Sequence, residues 1–314
     1  MMTGPESIPN VLIRFADLVG ITLKDNRLTI PQAFGNGYCE GYVFNEHIRL
    51  LISDYELRED VIVKRPAELA AGKVLFFKFQ HLFPQVSGKP SQIPSVLIAT
   101  SSIGTGEAFA IHSNTETINI EVDIQYLNEI LAPEQRSPVL RSLLQDSAPL
   151  FFEELIYPSL QKVVEEILAP AGNGLFRLFF LRIKAEELIC RLLMEIDKRE
   201  DRQLYPLNEK DIRVIYEIRD HMLQQLQTPP LIAELASQAA MSPTKLKRLF
   251  RQIFGSSIFH YYQQFRIKEA ARLLKTEHLP VAEVAYQLGF TNHSHFSKLF
   301  ESHMGMKPKR YSRG

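Results

Sequence analysis

Between Ile21 and Leu127 the apolar residues come in short runs rich in β-branched and aromatic side chains. The runs are ITLKDNRLTIP, HIRLLISDYEL, VIVKRP, KVLFFKFQHLF, SVLIATSS, AFAIHS and INIEVDIQYL, divided by FGNGY, SGKPSQIP and GTGE. Short runs at this spacing predict the strands of a barrel or sandwich. From Val122 onward the period changes. SPVLRSLLQDSAPLFFEEL and SLQKVVEEILA place apolar residues three and four apart, which predicts helices, with Pro158 and Pro170 as breaks. Asn173 or Gly174 then opens a longer helix, LFRLFFLRIKAEELICRLLMEIDKRED. In it Leu178, Leu181, Ala185, Leu188 and Leu192 form a 3-4-3-4 seam over about two heptads. A second stripe, Leu175, Phe179, Ile183, Ile189 and Leu193, runs beside it. One stripe is expected to pack on the strands and the other on a partner subunit, with Leu178, Leu181, Leu188 and Leu192 as the dimerisation residues. The polar segment KREDRQLYPLN reads as a linker.

The last ninety residues contain one pattern twice. IAELASQAAMSPTKLKRLFRQIFG matches VAEVAYQLGFTNHSHFSKLFESHMG. Glu234, Leu235, Ala236 and Gln238 match Glu283, Val284, Ala285 and Gln287 at an offset of 49. Past the turn the offset is 50, pairing Leu246 with Phe296, Arg248 with Lys298, Phe250 with Phe300 and Gly255 with Gly305. Each copy is expected to be a short helix, a tight turn and a second helix, the helix-turn-helix arrangement. Ala236 and Ala285 suit a close helix crossing, Gly289 a turn with positive φ, and Ser242-Pro243 a helix start. Between the copies, SIFHYYQQFRIKEAARLLKT predicts a helix of about 20 residues, about 30 Å long.

Charge sharpens this reading. The chain carries 36 basic and 36 acidic residues, yet from Thr228 to the end there are 13 Lys and Arg against 5 Asp and Glu. The tail is therefore at +8 and the remainder at −8, the asymmetry of a basic module that meets a polyanion. Double-stranded DNA is the expected partner. The two cysteines, Cys39 and Cys190, lie far apart and read as buried hydrophobes. The start MMTGPESIPN shows no basic and apolar leader and no run reaches a membrane-spanning length, so a reduced, cytoplasmic protein is expected.

From about Ile215 to the end the chain resembles the DNA-binding domain of AraC/XylS-type transcription regulators. The resemblance is carried by IAELASQAAMSPTKLKRLFRQIFG, YYQQFRIKEAARLLKT, VAEVAYQLGF and FSKLFESHMGMKPKRY. Pro308 and Tyr311 fit the family's ending, but Ser312 stands where an arginine is usual and the basic group is Arg313. The resemblance implies base readout by Thr244, Lys247 and Arg248 from the first recognition helix and by His293, Ser294 and Lys298 from the second. Lys245, Arg251, Lys307 and Lys309 are implied as backbone contacts. It further implies an α+β chain, with an N-terminal β-rich, cupin-like barrel with helices and a C-terminal all-α double helix-turn-helix domain. The expected division is an effector-sensing domain at 1–170, a dimerisation helix and linker at 171–210, and a DNA-binding domain at 211–314. A homodimer, a small-molecule effector of unspecified identity and, for an activator, RNA polymerase complete the implied partners.

Two rival readings remain at this level. An architectural DNA-binding protein would use the basic tail without an effector. A cupin-type metalloenzyme would need a His-x-His pair with further ligands, but His47, His81 and His112 sit on separate segments, and His293 and His295 diverge at a helix start. No nucleophile elbow, phosphate loop or dinucleotide fingerprint is present. No catalytic residue, metal or cofactor is expected.

Overall fold

The computed structural model describes residues 8–24, 26–59, 61–63, 73–82, 94–101, 109–111, 114–145, 148–169, 174–199 and 204–313. They divide into two compact units, one ending at Glu209 and one beginning at Lys210. The chain is α+β. The runs SGKPSQIP (apart from Pro94) and GTGE lie outside the described residues, as do His112, Pro170 and Asn173.

The first unit opens with α1 (Asn10–Leu18), followed by β1 (Arg27–Thr29), β2 (Gly35–Phe44), β3 (Ile48–Leu57), β4 (Val61–Val63), β5 (Val74–Gln80), β6 (Ser95–Thr100), β7 (Phe109–Ile111) and β8 (Asn114–Asp123). Then come α2 (Ile124–Ile130), α3 (Pro138–Gln145), β9 (Phe151–Leu155), α4 (Pro158–Leu168) and α5 (Gly174–Asp197). Seven strands form one antiparallel sheet in the order β1-β2-β3-β8-β5-β6-β9, and β4 pairs with β7 in a separate ladder. Among the described residues this is an open sheet with a small companion rather than a closed barrel. Strand β8 becomes α2 without a loop, because the Asp123 carboxylate accepts from the Gln125 N–H at 2.7 Å and caps the helix.

Three strand expectations need correction. FGNGY is the start of β2, not a separator: Gly37 sits at φ 99°, and a Cβ there would lie 2.2 Å from the Asp54 carbonyl oxygen of β3. The glycines permit close strand approach, a use that composition alone does not distinguish from a turn. FFEEL is not helical. The helix before it, α3, ends at Gln145, and Phe151–Leu155 pairs antiparallel with β6 as the sheet's edge strand. ITLKDNRLTIP contributes only Arg27–Thr29, with one further bridge from Lys24.

One face of the sheet shares a core with α3, α4 and α5. The strands contribute Leu50, Phe77, Ile98, Ile120 and Phe152 to it, and α5 contributes Leu181, Ala185, Leu188, Leu192 and Ile196. The dimerisation assignment is corrected here. Leu181, Leu188 and Leu192 are at 0% exposure inside their own unit, because the apolar sheet face needs a cover and α5 supplies it. Leu178 is exposed. The apolar residues that α5 turns outward are instead Phe176, Leu178, Phe179, Ile183 and Met194. Cys190 is on the exposed side too, contrary to its reading as a buried hydrophobe. Cys39 is buried against the Ser53 hydroxyl at 3.3 Å, and burial pushes its thiol up to about 12.

Arginines hold α5 near both ends. Arg177 donates from Nη2 to both oxygens of Glu40 on β2, at 2.9 and 3.0 Å, and from Nε to the Tyr42 hydroxyl at 3.1 Å. The Tyr42 hydroxyl also donates to Glu40. Burial, and then that hydrogen bond, push the Tyr42 phenol up to about 12. Two residues past α5, Arg199 bonds Glu154 of β9 at 2.6 Å and stacks over Phe152. Removing the Arg177 cation leaves the Glu40 carboxylate buried without its main counter-charge. Arg177→Met is therefore expected to cost about 3–5 kcal/mol in urea melts, and adding Glu40→Gln to it should recover part of the loss.

Candidate nucleic-acid interface

The second unit is all helical: α6 (Glu209–Gln224), α7 (Ile232–Gln238), α8 (Pro243–Phe254), α9 (Ile258–Thr276), α10 (Val281–Gln287), α11 (His293–Met304) and α12 (Pro308–Tyr311). The sequence repeat is a structural repeat. α7 and α10 have seven residues each, and α8 and α11 twelve each. The second helix of each pair is capped alike. Ser242 accepts from the Lys245 N–H at 3.2 Å and Asn292 from the His295 N–H at 3.0 Å. Each ends in a left-handed glycine, Gly255 or Gly305. Ala236 and Ala285 are buried at the crossings, as expected.

The repeat extends further than sequence reasoning took it. At the same offset of 50, Tyr261 of α9 corresponds to Tyr311 of α12. Tyr261 meets Phe250 edge-on with ring centroids 5.4 Å apart, and Tyr311 meets Phe300 edge-on at 5.4 Å. The signal was available, since both tyrosines follow a Gly by six residues. Also missed was Arg266, which is 3% exposed on α9. It donates to the Leu288 carbonyl from Nε at 3.1 Å and Nη2 at 2.5 Å, to Gln263 from Nη1 at 3.2 Å, and lies 3.7 Å over the Phe290 ring. It thus fastens α9 to the turn between α10 and α11. Tyr262 donates to the Leu226 carbonyl at 2.8 Å and fastens α9 to the chain after α6.

The outer surfaces of α8 and α11 hold the readout candidates. Leu246, Leu249 and Phe250 face inward on α8, and Phe296 and Phe300 on α11. Thr244, Lys247, Arg248 and Arg251 are exposed on α8, and His293, Ser294 and Lys298 on α11. Lys307 and Lys309 are exposed at α12. Lys245 stands apart. Its ammonium is 3.0 Å from the Asp211 carboxylate of α6, so a phosphate contact would compete with that ion pair. The two surfaces are not equivalent. α8 carries Lys245, Lys247, Arg248 and Arg251 and no acid, while on α11 Lys298 is offset by Glu301, which occupies the place of Arg251. Among the described residues no group of three His, Cys, Asp or Glu is placed to hold a metal, and no helix is long and apolar enough to cross a membrane.

Two short helices, a capped turn and an outward polar helix face, built twice, define a helix-turn-helix domain. Residues 235–314, 80 of the 314, match the family described as "Helix-turn-helix domain". The arabinose operon regulatory protein of Escherichia coli K12 is 30% identical over 145 residues, 46% of this chain and 48% of that protein. The regulatory protein PchR of Pseudomonas aeruginosa is 42% identical over 67 residues, 21% of this chain and 23% of that protein. The crystallised DNA-binding domain of AdpA, in complex with a target DNA, is 29% identical, with 32% of this chain and 89% of that one covered and a TM-score of 0.30. The match with the arabinose regulators spans about half their length. The C-terminal domain is an AraC-type helix-turn-helix domain.

The two turns differ in one instructive way. Gly289 has φ 72°, and a Cβ there would come within 2.0 Å of the Gln227 carbonyl oxygen. Its counterpart Ala240 takes φ 49° and is exposed. Gly289→Ala is expected to destabilise by about 1–3 kcal/mol from strain at an overdetermined position. Ala240→Gly should be neutral or stabilising by at most about 1 kcal/mol, because relief of a left-handed Ala opposes the entropy of Gly. Urea melts of the full chain measure both, and equal effects would refute the distinction.

Proposed function

We propose that the chain is a DNA-binding transcription regulator of the AraC/XylS type, with a front unit that binds a small effector and self-associates. The observation that carries the DNA-binding part is the duplicated, identically capped helix pair with its cationic outer face on α8. A 19-residue α9 is about 28 Å long, near the roughly 34 Å between successive major-groove faces of B-DNA. α8 and α11 are the two reading helices. Lys247, Arg248 and Lys298 have the side-chain type that most often pairs with guanine edges, and Thr244, His293 and Ser294 complete the reading surfaces. Arg251, Lys307 and Lys309 serve the backbone, and Lys245 joins them only by leaving Asp211. The relatives named as regulators support regulation over catalysis, with RNA polymerase as a further partner of an activator.

The cytoplasm, where the DNA is, is the setting this function requires. For the dimer, the outward apolar stripe of α5, Phe176, Phe179, Ile183 and Met194, replaces the buried leucines as the contact. An architectural role without sequence readout is the competing reading, and the DNA titration below separates the two.

With the full chain, affinity for its preferred duplex should fall steeply with salt as phosphate contacts displace counterions. Lys247→Ala should cost about 1–3 kcal/mol on that site and relax base preference, whereas Lys307→Ala should weaken all duplexes about equally. Mobility-shift titrations against preferred and scrambled DNA read this, and uniform losses for both variants would favour the architectural role.

A second outcome concerns assembly. Phe179→Glu should convert a dimer to a monomer in light scattering without lowering the melting temperature, since Phe179 is 63% exposed within the chain. An unchanged mass would remove α5 from the interface.

A further inference from the structure

The sheet face away from α3, α4 and α5 has a polar centre. Along β5 the residues Phe77 and Phe79 enter the shared core, so Phe76, Lys78 and Gln80 point to the opposite face. The register sets Asn119 of β8 and Leu97 of β6 directly beside Lys78, and Thr117 and Ser95 directly beside Gln80. Gln80 donates through Nε2 to the Ser95 hydroxyl at 3.3 Å, and Asn119 through Nδ2 to the Thr117 hydroxyl at 3.1 Å. Each hydroxyl accepts from an amide and keeps its own O–H to donate. Ser95 and Thr117 are buried, at 1% and 7% exposure, and Lys78, Gln80 and Asn119 around them are half-buried.

Lys78 lies between Asn119 and Leu97, one pleat along β5 from Gln80 and the two hydroxyls that flank it. No hydrogen bond or ion pair among the described residues ends on its ammonium, and burial lowers its pKa. The acids on the same face are Glu121, diagonal to Lys78 on β8, and Glu153 of β9, beyond Leu97, and each has other partners. A half-buried cation among hydrogen-bond donors lacks one thing, a negative charge brought from outside. One ammonium balances one carboxylate. A dianionic phosphate would bring a second negative charge near Glu121 and Glu153, and a further cation on this face, Arg49 of β3, already lies directly opposite Glu121. Phe76 and Leu97, both half-buried beside Lys78, give an organic body apolar contact.

We propose that this face binds a small organic monocarboxylate, its carboxylate held by Lys78 with the Thr117 and Ser95 hydroxyls and its body lying along Phe76 and Leu97. This deepens the reading of the front unit as an effector domain and rests on it for its regulatory meaning, though not for binding itself.

The test uses the full chain and a panel of straight-chain acids from butanoate to dodecanoate and of benzoates, each paired with its primary amide. Thermal shift and calorimetry should show binding by at least one acid and none by its amide. Lys78→Met should weaken that acid about tenfold or more, the loss of a charge-assisted contact. This variant removes a desolvated charge, so it should melt no lower than the parent. On the unaltered chain, acetylation of Lys78 by acetic anhydride, followed by mass spectrometry, should slow with the acid and not with the amide, which guards against a misfolded variant. Equal binding of acid and amide, equal affinity in Lys78→Met, or no acid that binds and protects Lys78 would overturn the proposal. Repeating the DNA titration with the bound acid separates the two claims. Binding through Lys78 with unchanged DNA affinity keeps the site and removes the effector switch, while DNA affinity in the absence of acid tests the DNA-binding reading alone.

Discussion

The first unit depends on a single requirement, that the apolar face of a seven-stranded sheet be covered. α5 meets it with Leu181, Ala185, Leu188, Leu192 and Ile196, which are all excluded from water. Its ends are then held electrostatically, by Arg177 on Glu40 of β2 and by Arg199 on Glu154 of β9. Those two strands lie far apart in the sheet order, five positions from one another. The helix therefore lies across the sheet rather than along one strand, and its outward face follows from that placement. The exposed phenylalanines are a consequence of which side the sheet claims.

In the second unit the corresponding fastening is made by side chains on carbonyls. Arg266 takes the Leu288 carbonyl and Tyr262 the Leu226 carbonyl. Both carbonyls belong to chain that has left a helix and has lost its intrahelical partner. A buried guanidinium supplies several donors at once and stacks on Phe290, so it fixes direction as well as distance. The relation of α9 to the second helix pair is set there, close to the glycine whose positive φ the turn requires. Because the two pairs share caps, glycine stops and an aromatic pair, α9 and α12 occupy equivalent places after them.

Equivalent backbones carry unequal surfaces. The outer side of α8 has four cations and no acid, and that of α11 has one lysine and one glutamate with several histidines. In the proposed DNA-binding function, long-range attraction to the polyanion would fall mainly to the first pair. The second pair offers hydroxyl and imidazole groups, which act only at hydrogen-bond range and in that function would contribute by discrimination more than by attraction. A duplicated scaffold thus divides two physical tasks without any change in fold.

The sequence by itself determined the two helix pairs of the second unit and the helix between them. Its helices are local, their caps and stops lie within a few residues of what they bond, and the repeat shows each feature twice, so Ser242, Gly255, Gly289 and Gly305 were legible from spacing alone. Even there Arg266 and the Asp211 pairing of Lys245 were not, because each joins elements distant in sequence. In the first unit the periods located most strands and the change to helix near Val122, yet FGNGY and FFEEL were misassigned. Gly37 and Phe152 take their roles from β3 and β6, which local composition does not name. The same reason moved the proposed dimer contact. A 3-4 seam specifies that one side of α5 is buried, and only the tertiary structure decides whether the burying surface is a second subunit or the chain's own sheet. Lys78 is the last example: its sequence shows a lysine in an alternating strand, and the unmatched charge exists only once seven strands assemble around it.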